Sequence, residues 1–275
     1  MRERHEHPTE RNRAIEHNRR AWDRLAKDGA ALTRPATDAA FGDPRNWVGG
    51  GGTAMRPWLP ERLDGLEVLC LAAGGGKHGP LYAAAGASVT VVDISPAMLA
   101  LDRAVSRERR IDLAIAEGSM DDLSMFVTGR FDLVIHPVST CYLPDVAAVF
   151  REVARVTRAG GLYVSQHKSP VSLQATLQPN ADGRYELEHP QQGETPLPAA
   201  APSRLREPGT QEFIHSFSAL CGGICAAGFV IEDVGEPDHA QPGEGLGTFA
   251  HRAAFLPPYI RVLARKRGTG AIFIR

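Results

Sequence analysis

A buried strand that runs directly into three consecutive glycines is the feature that most constrains this chain. The strand is predicted over residues 67–72, and Gly74, Gly75 and Gly76 follow it before a helix predicted at residues 78–85. Glycines lack a Cβ, so the backbone can turn sharply and a ligand can approach the main chain. The junction is typical of a nucleotide-type cofactor site, although an ordinary strand–turn–helix junction shows the same pattern.

Short apolar segments alternate with helical patterns beyond this turn. Further strands are predicted at residues 88–93, 111–116, 131–136 and 162–167, with helices at residues 96–107 and 145–157 between them. Ser95 is suited to cap the first of these helices, because Pro96 follows at its first position. The alternation predicts a parallel sheet with helices on both faces, whose ligands bind at the carboxyl ends of the strands.

The chain is less regular on either side of this alternating region. Before it, residues 10–27 follow a helical pattern, and residues 33–53 are predicted as mostly loop that ends in four glycines. After it, seven prolines over residues 168–210 exclude a long regular element. Residues 184–188 of this stretch are candidates to pair as strands with residues 211–216, which follow it.

Regular structure is predicted to resume near the C-terminus. A helical pattern covers residues 216–227, and strands at residues 229–234 and 259–264 are expected to form an antiparallel pair. The predicted fold is therefore α/β. It has a seven-stranded, mostly parallel sheet with helices on both faces, an antiparallel C-terminal edge, an N-terminal helical cap and an insertion after the fifth strand.

Composition limits the partners of the chain. A formal net charge of -1 over 275 residues gives no overall attraction to nucleic acid or to an anionic membrane. No apolar run is long enough to span a bilayer, and the charged N-terminus lacks the apolar core of a signal peptide, so we expect a cytoplasmic protein. The four cysteines lack CxxC spacing and nearby ligands, which predicts buried thiols and no metal site.

An acid at the end of the second strand narrows the type of ligand. Asp93 follows Gly74 by about twenty residues, the spacing at which a carboxylate accepts two hydrogen bonds from a ribose diol. The same acid is also consistent with a helix cap, because Ser95 follows it. Together, the glycine turn and Asp93 predict an adenosine-containing cofactor without distinguishing which one.

Residues 68–164 resemble the core of the class I S-adenosylmethionine-dependent methyltransferases. The resemblance is strongest to bacterial enzymes whose glycine loop has the form LCLAxGGGxxxP. Five motifs carry it in order: LEVLCLAAGGG at residues 66–76, GASVTVVDISP at 86–96, EGSMDDL at 117–123, FDLVIHPVS at 131–139 and RVTRAGG at 155–161. Ordered motifs are more specific than glycines alone. They imply S-adenosylmethionine as the cofactor and methyl transfer as the reaction.

The resemblance implies a role for each motif. The glycine turn passes under the methionine part of the cofactor, and Asp93 holds the ribose hydroxyls. Apolar side chains after Asp93 pack on the adenine, residues near Met120 hydrogen-bond its edge, and His136 lines the cavity near the sulfonium. The implied cofactor-binding residues are Ala72, Ala73, Gly74, Gly76, Asp93, Ile94, Met98, Ser119, Met120, Asp121 and His136.

Three positions depart from the family pattern. Cys70 stands where an acid is common, Ala72 replaces the first glycine of the turn, and Ser119 stands where an aspartate is common. The first change removes a carboxylate contact, the second narrows the room for the cofactor, and the third affects the adenine contact. A non-catalytic protein that binds an adenosyl cofactor is therefore one alternative.

The sulfonium already activates the methyl group, so transfer is an in-line displacement that depends mainly on orientation, worth roughly 7–11 kcal/mol. A general base is needed only when the acceptor must lose a proton, and it adds about 10²–10⁴-fold. The candidates at the predicted carboxyl edge are His136, Tyr142, His167 and His215. Each histidine is also consistent with a hydrogen-bonded structural residue.

The predicted organisation divides the chain in two. Residues 1–60 form a helical cap and a glycine-rich linker, in which Trp22 and Trp47 are candidates to close over the ligands. Residues 61–275 form the methyltransferase core, and its insertion at residues 168–210 is expected to cover the acceptor. Because the insertion mixes apolar, tyrosine and histidine side chains, a small organic molecule is the expected partner, and nucleic acid and membrane are not.

The second alternative is an NAD(P)-dependent oxidoreductase. Gly74, Gly76 and Gly79 satisfy GxGxxG spacing, and Asp93 fits that fingerprint equally well. The irregular region after the fifth strand and the antiparallel C-terminal edge favour the methyltransferase. The sequence predicts neither the atom that is methylated nor the oligomeric state.

Overall fold

The computed structural model describes residues 9–48, 58–191, 195–201, 203–241 and 243–268. Its strands are β1 Glu67–Leu71, β2 Ser88–Asp93, β3 Ala114–Glu117, β4 Phe131–His136, β5 Thr157–Lys168, β6 Phe229–Gly235 and β7 Tyr259–Lys266. They form a seven-stranded sheet in the order β3-β2-β1-β4-β5-β7-β6. Neighbours among β1 to β5 are parallel, and β7 lies antiparallel between β5 and β6. The predicted sheet and its antiparallel C-terminal edge are confirmed.

The helices pack on both faces of this sheet. They are α1 Glu10–Lys27, α2 Asp38–Gly42, α3 Pro44–Val48, α4 His78–Ala84, α5 Pro96–Arg109, α6 Val146–Val156, α7 Pro170–Gln174, α8 Gly223–Ala226 and α9 Phe249–Ala253. A π-helical segment, Ser218–Gly222, leads into α8. No helix among the described residues is both long and apolar enough to cross a membrane.

Alternate residues of β1 show how the two layers of core form. Leu69 and Leu71 are buried in a cluster with α6 and α8, which includes Phe150. Val68 and Cys70 point to the other face, where they belong to a cluster with α4 and α5. A strand buried on both faces reads as a continuous apolar run, as residues of β1 do. With both faces covered, the carboxyl ends of the strands are the part of the sheet left to meet ligands.

Helix α1 lies across this carboxyl edge. Asp23 accepts a hydrogen bond from the hydroxyl of Ser95, directly after β2, at 2.7 Å. The fully buried Asn18 donates to the carbonyl of Tyr142, beyond β4, at 2.9 Å, and accepts the N–H of Gln211 at 2.8 Å. The N-terminal helix thus connects segments that follow β2 and β4 with the end of the insertion.

The prediction of loop over residues 33–53 is wrong for most of its described part, because α2 and α3 form there. Thr37 accepts the N–H of Ala40 at 3.4 Å, and Asp43 accepts the N–H of Asn46 at 3.1 Å. Side chains that cap the first turn in this way favour short helices over loop. The four glycines at residues 49–52 lie outside the described residues.

The proposed strand pairing inside the insertion is also wrong. Residues 184–188 do not pair with residues 211–216; instead, Leu187 forms an antiparallel bridge with Ala175. Phe213 donates its N–H to a carbonyl of the turn after β4 at 2.7 Å. The nearer partner closes a shorter loop, which costs less chain entropy.

Element boundaries shift at three places. Strand β3 begins three residues later than predicted, because Arg110 ends α5 in the left-handed region with a φ of 56°. Strand β5 begins at Thr157 and reaches Leu162 through an irregularity in its register with β4. The helix predicted over residues 216–227 begins as the π-helical segment. None of these shifts moves the carboxyl edge of the sheet.

Candidate active site

The turn after β1 packs directly against α5. A Cβ on Gly74 would lie 2.8 Å from the Cβ of Met98 and 2.9 Å from Oδ2 of Asp93. A Cβ on Gly76 would lie 2.9 Å from Cγ2 of Val105. Neither position has room for a side chain, so both glycines are required by the close approach of the turn to α5.

Ala72 begins this turn with a φ of 47°. An L-residue in the left-handed region is disfavoured by roughly 1–2 kcal/mol, whereas glycine is not. The departure from the usual glycine at this position therefore carries a conformational cost. Ala73, the next residue, is buried and has no positive φ.

Asp93 lies at the end of β2, beside the turn. It is 8% exposed, its Oδ2 accepts the N–H of Gly74 at 2.9 Å, and its Oδ1 accepts the N–H of Ser95 at 2.9 Å. Burial raises the pKa of Asp93 to about 6, although these backbone hydrogen bonds act to lower it. Each carboxylate oxygen has a second lone pair, so Asp93 is able to accept further hydrogen bonds from a diol.

The two apolar residues assigned to the adenine differ in their surroundings. Ile94 is half-buried immediately after Asp93. Met98 is buried beneath the turn, and its Cε lies 2.9 Å from the position that a Cβ on Gly75 would take. Met98 thus supports the turn from below, while Ile94 is the more accessible of the two.

The segment after β3 is tied to α1 and to the segment after β4. The carboxylate of Asp121 accepts hydrogen bonds from the hydroxyl of Ser119 and from the guanidinium of Arg11. Met120 is buried, and its sulfur accepts from the hydroxyl of Ser139 at 3.6 Å. The structure therefore brings the residues predicted after β3 to the same edge as those after β4.

His136, at the end of β4, is 1% exposed and has a partner for each ring nitrogen. Nδ1 lies 2.8 Å from the hydroxyl of Tyr163, and Nε2 lies 2.6 Å from the hydroxyl of Ser139. Burial lowers the pKa of His136 to about 3, so the ring is neutral at physiological pH. Both nitrogens are already used in this arrangement.

His167, near the end of β5, has a similar environment. It is fully buried; Nδ1 lies 2.9 Å from the hydroxyl of Thr140, and Nε2 lies 2.8 Å from the hydroxyl of Ser165. Burial lowers its pKa to about 3 as well. The rings of His136 and His167 are 6.5 Å apart, so they form two neighbouring neutral networks below the carboxyl edge.

His215 is the third histidine candidate, and it is only half-buried. Its Nε2 lies 2.9 Å from the carbonyl of Leu143 and 3.2 Å from that of Thr140. Carbonyls only accept, so Nε2 carries the proton and Nδ1 does not. Within the described part of the chain, Nδ1 makes no hydrogen bond. Burial lowers the pKa of His215, although the two carbonyls oppose that change.

Tyr142 joins the N-terminal helix to the insertion. Its hydroxyl donates to the carboxylate of Glu207 at 2.7 Å, and its ring meets that of Trp22 edge to face at 5.6 Å. Burial raises the pKa of Tyr142 well above 10, so the phenol remains protonated. Trp47, the other tryptophan considered, packs edge to face on His78 at 5.8 Å.

The insertion is anchored by buried charges at the end of β5. Lys168, whose side chain is 1% exposed, donates to the carboxylates of Glu207 and Glu212, and Arg206 also contacts Glu212. A cavity of about 360 Å³ lies against these residues. Its lining includes Lys168, Leu173, Thr176, Leu177, Gln178 and His189. The described ranges contain no cluster of His, Cys, Asp or Glu suited to a metal ion.

Asp102 of α5 is the site residue that the sequence analysis missed. It is fully buried, and Oδ2 accepts the N–H of Gly75 at 2.8 Å. The pattern that indicates it is an acid on the apolar face of a helix, three residues after Leu99 and three before Val105.

Comparison with known proteins agrees with this geometry. Residues 69–165 match the methyltransferase domain family. The chain is 33% identical over 228 residues to the uncharacterized methyltransferase YbaJ of Bacillus subtilis, covering 80% of this chain and 89% of that protein. It is 32% identical over 106 residues to a ubiquinone biosynthesis O-methyltransferase of Xanthomonas oryzae, a match that spans 38% of this chain and 44% of that protein.

Solved structures share the fold. An S-adenosylmethionine-dependent methyltransferase from Mesorhizobium loti superposes with a TM-score of 0.58 at 24% identity, covering 76% of this chain and 94% of that one. The [4+2]-cyclase SpnF superposes with a TM-score of 0.55 at 15% identity, covering 94% and 97%. At these identities the superpositions describe the fold alone. They include a protein named for a different reaction, so the assignment depends on the sequence relatives and the site.

Neither the domain match nor these relatives support the oxidoreductase or the non-catalytic alternative. The domain match covers the glycine turn, Asp93 and His136, and the YbaJ relative extends the similarity over most of the chain. The protein belongs to the class I, S-adenosylmethionine-dependent methyltransferase family.

Proposed function

We propose that this protein transfers the methyl group of S-adenosylmethionine to a small organic acceptor, with the cofactor held at the carboxyl ends of β1, β2 and β4. The observation that carries the proposal is the position of Asp93. Its two oxygens are fixed by the N–H groups of Gly74 and Ser95, and each keeps a lone pair for a ribose hydroxyl. These contacts support a ribose-binding role for Asp93.

The size and polarity of the neighbouring residues are also suited to the cofactor. The turn at residues 72–76 offers main chain without bulky side chains, and Ile94 offers a half-buried apolar surface for the adenine. When bound, the cofactor supplies an activated methyl group. The protein's part is then to orient the acceptor in line with that group, which is the larger contribution expected for such a displacement.

The cavity within the insertion is the proposed acceptor site. Its volume lies within the range of about 300–1,000 Å³ that is usual for small-molecule sites. Residues 168–210 supply all of its lining except Pro258. Residues 1–60 contribute α1 as a cap over the cofactor edge. A relative named as a ubiquinone biosynthesis O-methyltransferase supports a small-molecule acceptor rather than a polymer.

His215 is the proposed base for acceptors that must lose a proton. It has an unprotonated Nδ1 that is free of hydrogen bonds in the described residues, whereas His136 and His167 use both ring nitrogens. His136 and His167 are assigned to shaping the floor of the site. Tyr142 is assigned to closing it, because its hydroxyl is held by Glu207.

Isothermal titration with S-adenosylhomocysteine and with NAD tests the cofactor assignment. We expect saturable binding of S-adenosylhomocysteine and none of NAD. Transfer of radiolabelled methyl from S-adenosylmethionine to a panel of phenols, carboxylates and amines then tests the acceptor class. Binding of NAD without S-adenosylhomocysteine would refute the proposal.

A His215→Gln variant tests the base. With a hydroxyl acceptor we expect kcat to fall by about 10²-fold while KM changes little. Because burial lowers the pKa of His215, the acidic limb of the wild-type kcat profile is expected below pH 6.5. A profile unchanged by the substitution would remove His215 from the mechanism.

A further inference from the structure

Asp102 is a buried carboxylate that no step of methyl transfer requires. It lies on α5 with no exposed surface, and no salt bridge reaches it within the described ranges. Oδ2 accepts the N–H of Gly75, and Oδ1 has no hydrogen-bond partner there. Burying a carboxylate without a cation is costly, often by several kcal/mol, so a contact at this position has to offset that cost.

The contact is with the underside of the glycine turn. Burial raises the pKa of Asp102, and the N–H groups of Gly75 and Gly76 act to lower it. Oδ1 faces the neighbouring helix α4, because a Cβ on Gly79 would lie 3.5 Å from it. An apolar residue at this position would remove the carboxylate acceptor of Gly75, whose N–H would keep only the carbonyl of Met98, at 3.1 Å.

Cys70 lies on the same side of the sheet. It is fully buried in the cluster formed by β1, α4 and α5. Burial raises the pKa of its thiol, and the negative charge of Asp102 on α5 raises it further. Position 70 is also where the resemblance would put an acid. One side of the turn therefore has a thiol, and the adjacent helix has the carboxylate.

We propose that Asp102 is a positioning residue that replaces the missing strand acid: from α5 it accepts the N–H of Gly75, and so sets the shape of the turn that receives the cofactor. The carboxylate would then be supplied by the helix, where the family pattern supplies it from the strand. This inference rests on the cofactor site proposed above.

Titration of S-adenosylhomocysteine into Asp102→Ala, Asp102→Asn and the double variant Cys70→Asp/Asp102→Ala tests the proposal. We expect at least tenfold weaker binding in Asp102→Ala. Asp102→Asn should lose less, because its amide oxygen is still able to accept the N–H of Gly75. The double variant should recover much of the affinity, whereas Cys70→Asp alone should be impaired by two adjacent carboxylates.

Val153→Ala is the matched control for general loss of stability. Val153 is buried in α6 on the opposite face of the sheet, so its truncation should lower the melting temperature without changing affinity. The proposal is overturned if Asp102→Ala binds as wild type, or if the double variant binds no better than Asp102→Ala. Failure of the wild type to bind would instead overturn the cofactor site itself.

Discussion

The two halves of the carboxyl edge bury their carboxylates in different ways. In the cofactor half, which comprises the glycine turn, β2 and α5, Asp93 and Asp102 are held by backbone N–H groups. In the insertion half, which comprises the end of β5 and residues 168–212, Glu207 and Glu212 are held by Lys168 and by an arginine. The first arrangement leaves negative charge without a cation, while the second compensates it.

The two halves also differ in the groups that oppose the effect of burial on pKa. Burial raises the pKa of Asp93 to about 6 and that of Asp102 to about 7. In the insertion half, burial acts to lower the pKa of Lys168, but the carboxylates of Glu207 and Glu212 outweigh it and raise that pKa. Burial also raises the pKa of Glu212, although Lys168 and Arg206 act to lower it. Burial therefore raises the pKa of carboxylates in both halves, opposed by backbone N–H groups in the cofactor half and by cations in the insertion half.

The largest loss of stability is expected when a cation is removed from the insertion half. Lys168→Met leaves two buried carboxylates short of a cation and should lower the free energy of unfolding by about 3–5 kcal/mol. Chemical denaturation measures this loss, and Lys168→Met/Glu207→Gln should recover part of it. Lys27→Met, on the exposed face of α1, is the control and should change little. A loss as small as that of the control would show that the ion pairs of Lys168 contribute little to stability.

The next largest effect is expected in the pH dependence of folding stability, which Asp102 of the cofactor half influences. The folded pKa of Asp102 is about 7 and its ordinary value is 3.8, so its stabilising contribution is complete below pH 4 and is lost as pH rises to about 7. Relative to Asp102→Asn, wild type should lose up to about 4 kcal/mol over that interval. Urea denaturation between pH 4 and pH 8 measures the difference. An equal slope for both proteins would contradict the assigned pKa.

Asp93→Ala is expected to weaken cofactor binding, which distinguishes the cofactor half from the insertion half. It removes the two charge-assisted hydrogen bonds proposed for the ribose diol, so affinity for S-adenosylhomocysteine should fall roughly 100-fold, or about 3 kcal/mol. Titration calorimetry measures the loss, with Asp112→Ala, at an exposed position, as the control. An affinity within threefold of wild type would place the ribose elsewhere. Lys168→Met should leave this affinity unchanged while the protein is folded.

The smallest effect is expected at the start of the turn. Ala72→Gly removes the left-handed strain of an L-residue and should raise the free energy of unfolding by up to about 1 kcal/mol. Ala73→Gly is the matched control, because its backbone has no positive φ, and it should be destabilising. Thermal unfolding distinguishes the two. Destabilisation by both substitutions would argue against strain at Ala72.

Much of the cofactor half was predictable because its interactions are local. A strand, a glycine turn and a strand-end acid each occupy a few consecutive residues, and parallel strands bring their carboxyl ends together by topology. The alternation of strands and helices, α1 and the positions of Asp93 and His136 follow from such patterns, whereas the order of the strands in the sheet was not predicted. Helices α2 and α3 were missed for a local reason, since the capping roles of Thr37 and Asp43 were overlooked.

The insertion half was not predictable in the same way. Lys168 meets Glu207 and Glu212 across 39 and 44 residues of irregular chain, and no periodicity records that meeting. The antiparallel bridge between Leu187 and Ala175 formed because this pairing closes a shorter loop than the predicted one. Asp102 was missed because an acid in a helix usually indicates a solvated face, and only packing showed it to be buried.

The sequence by itself determined the α/β order, the glycine turn and the acid at the end of β2, because chain proximity and strand periodicity specify them. Only the tertiary structure decided what the polar side chains do. It engaged both ring nitrogens of His136 and His167, left Nδ1 of His215 without a hydrogen bond in the described residues, and placed Asp102 beneath the turn. The physical reason is that burial and hydrogen-bond partners, which set protonation and orientation, come from residues distant in the chain.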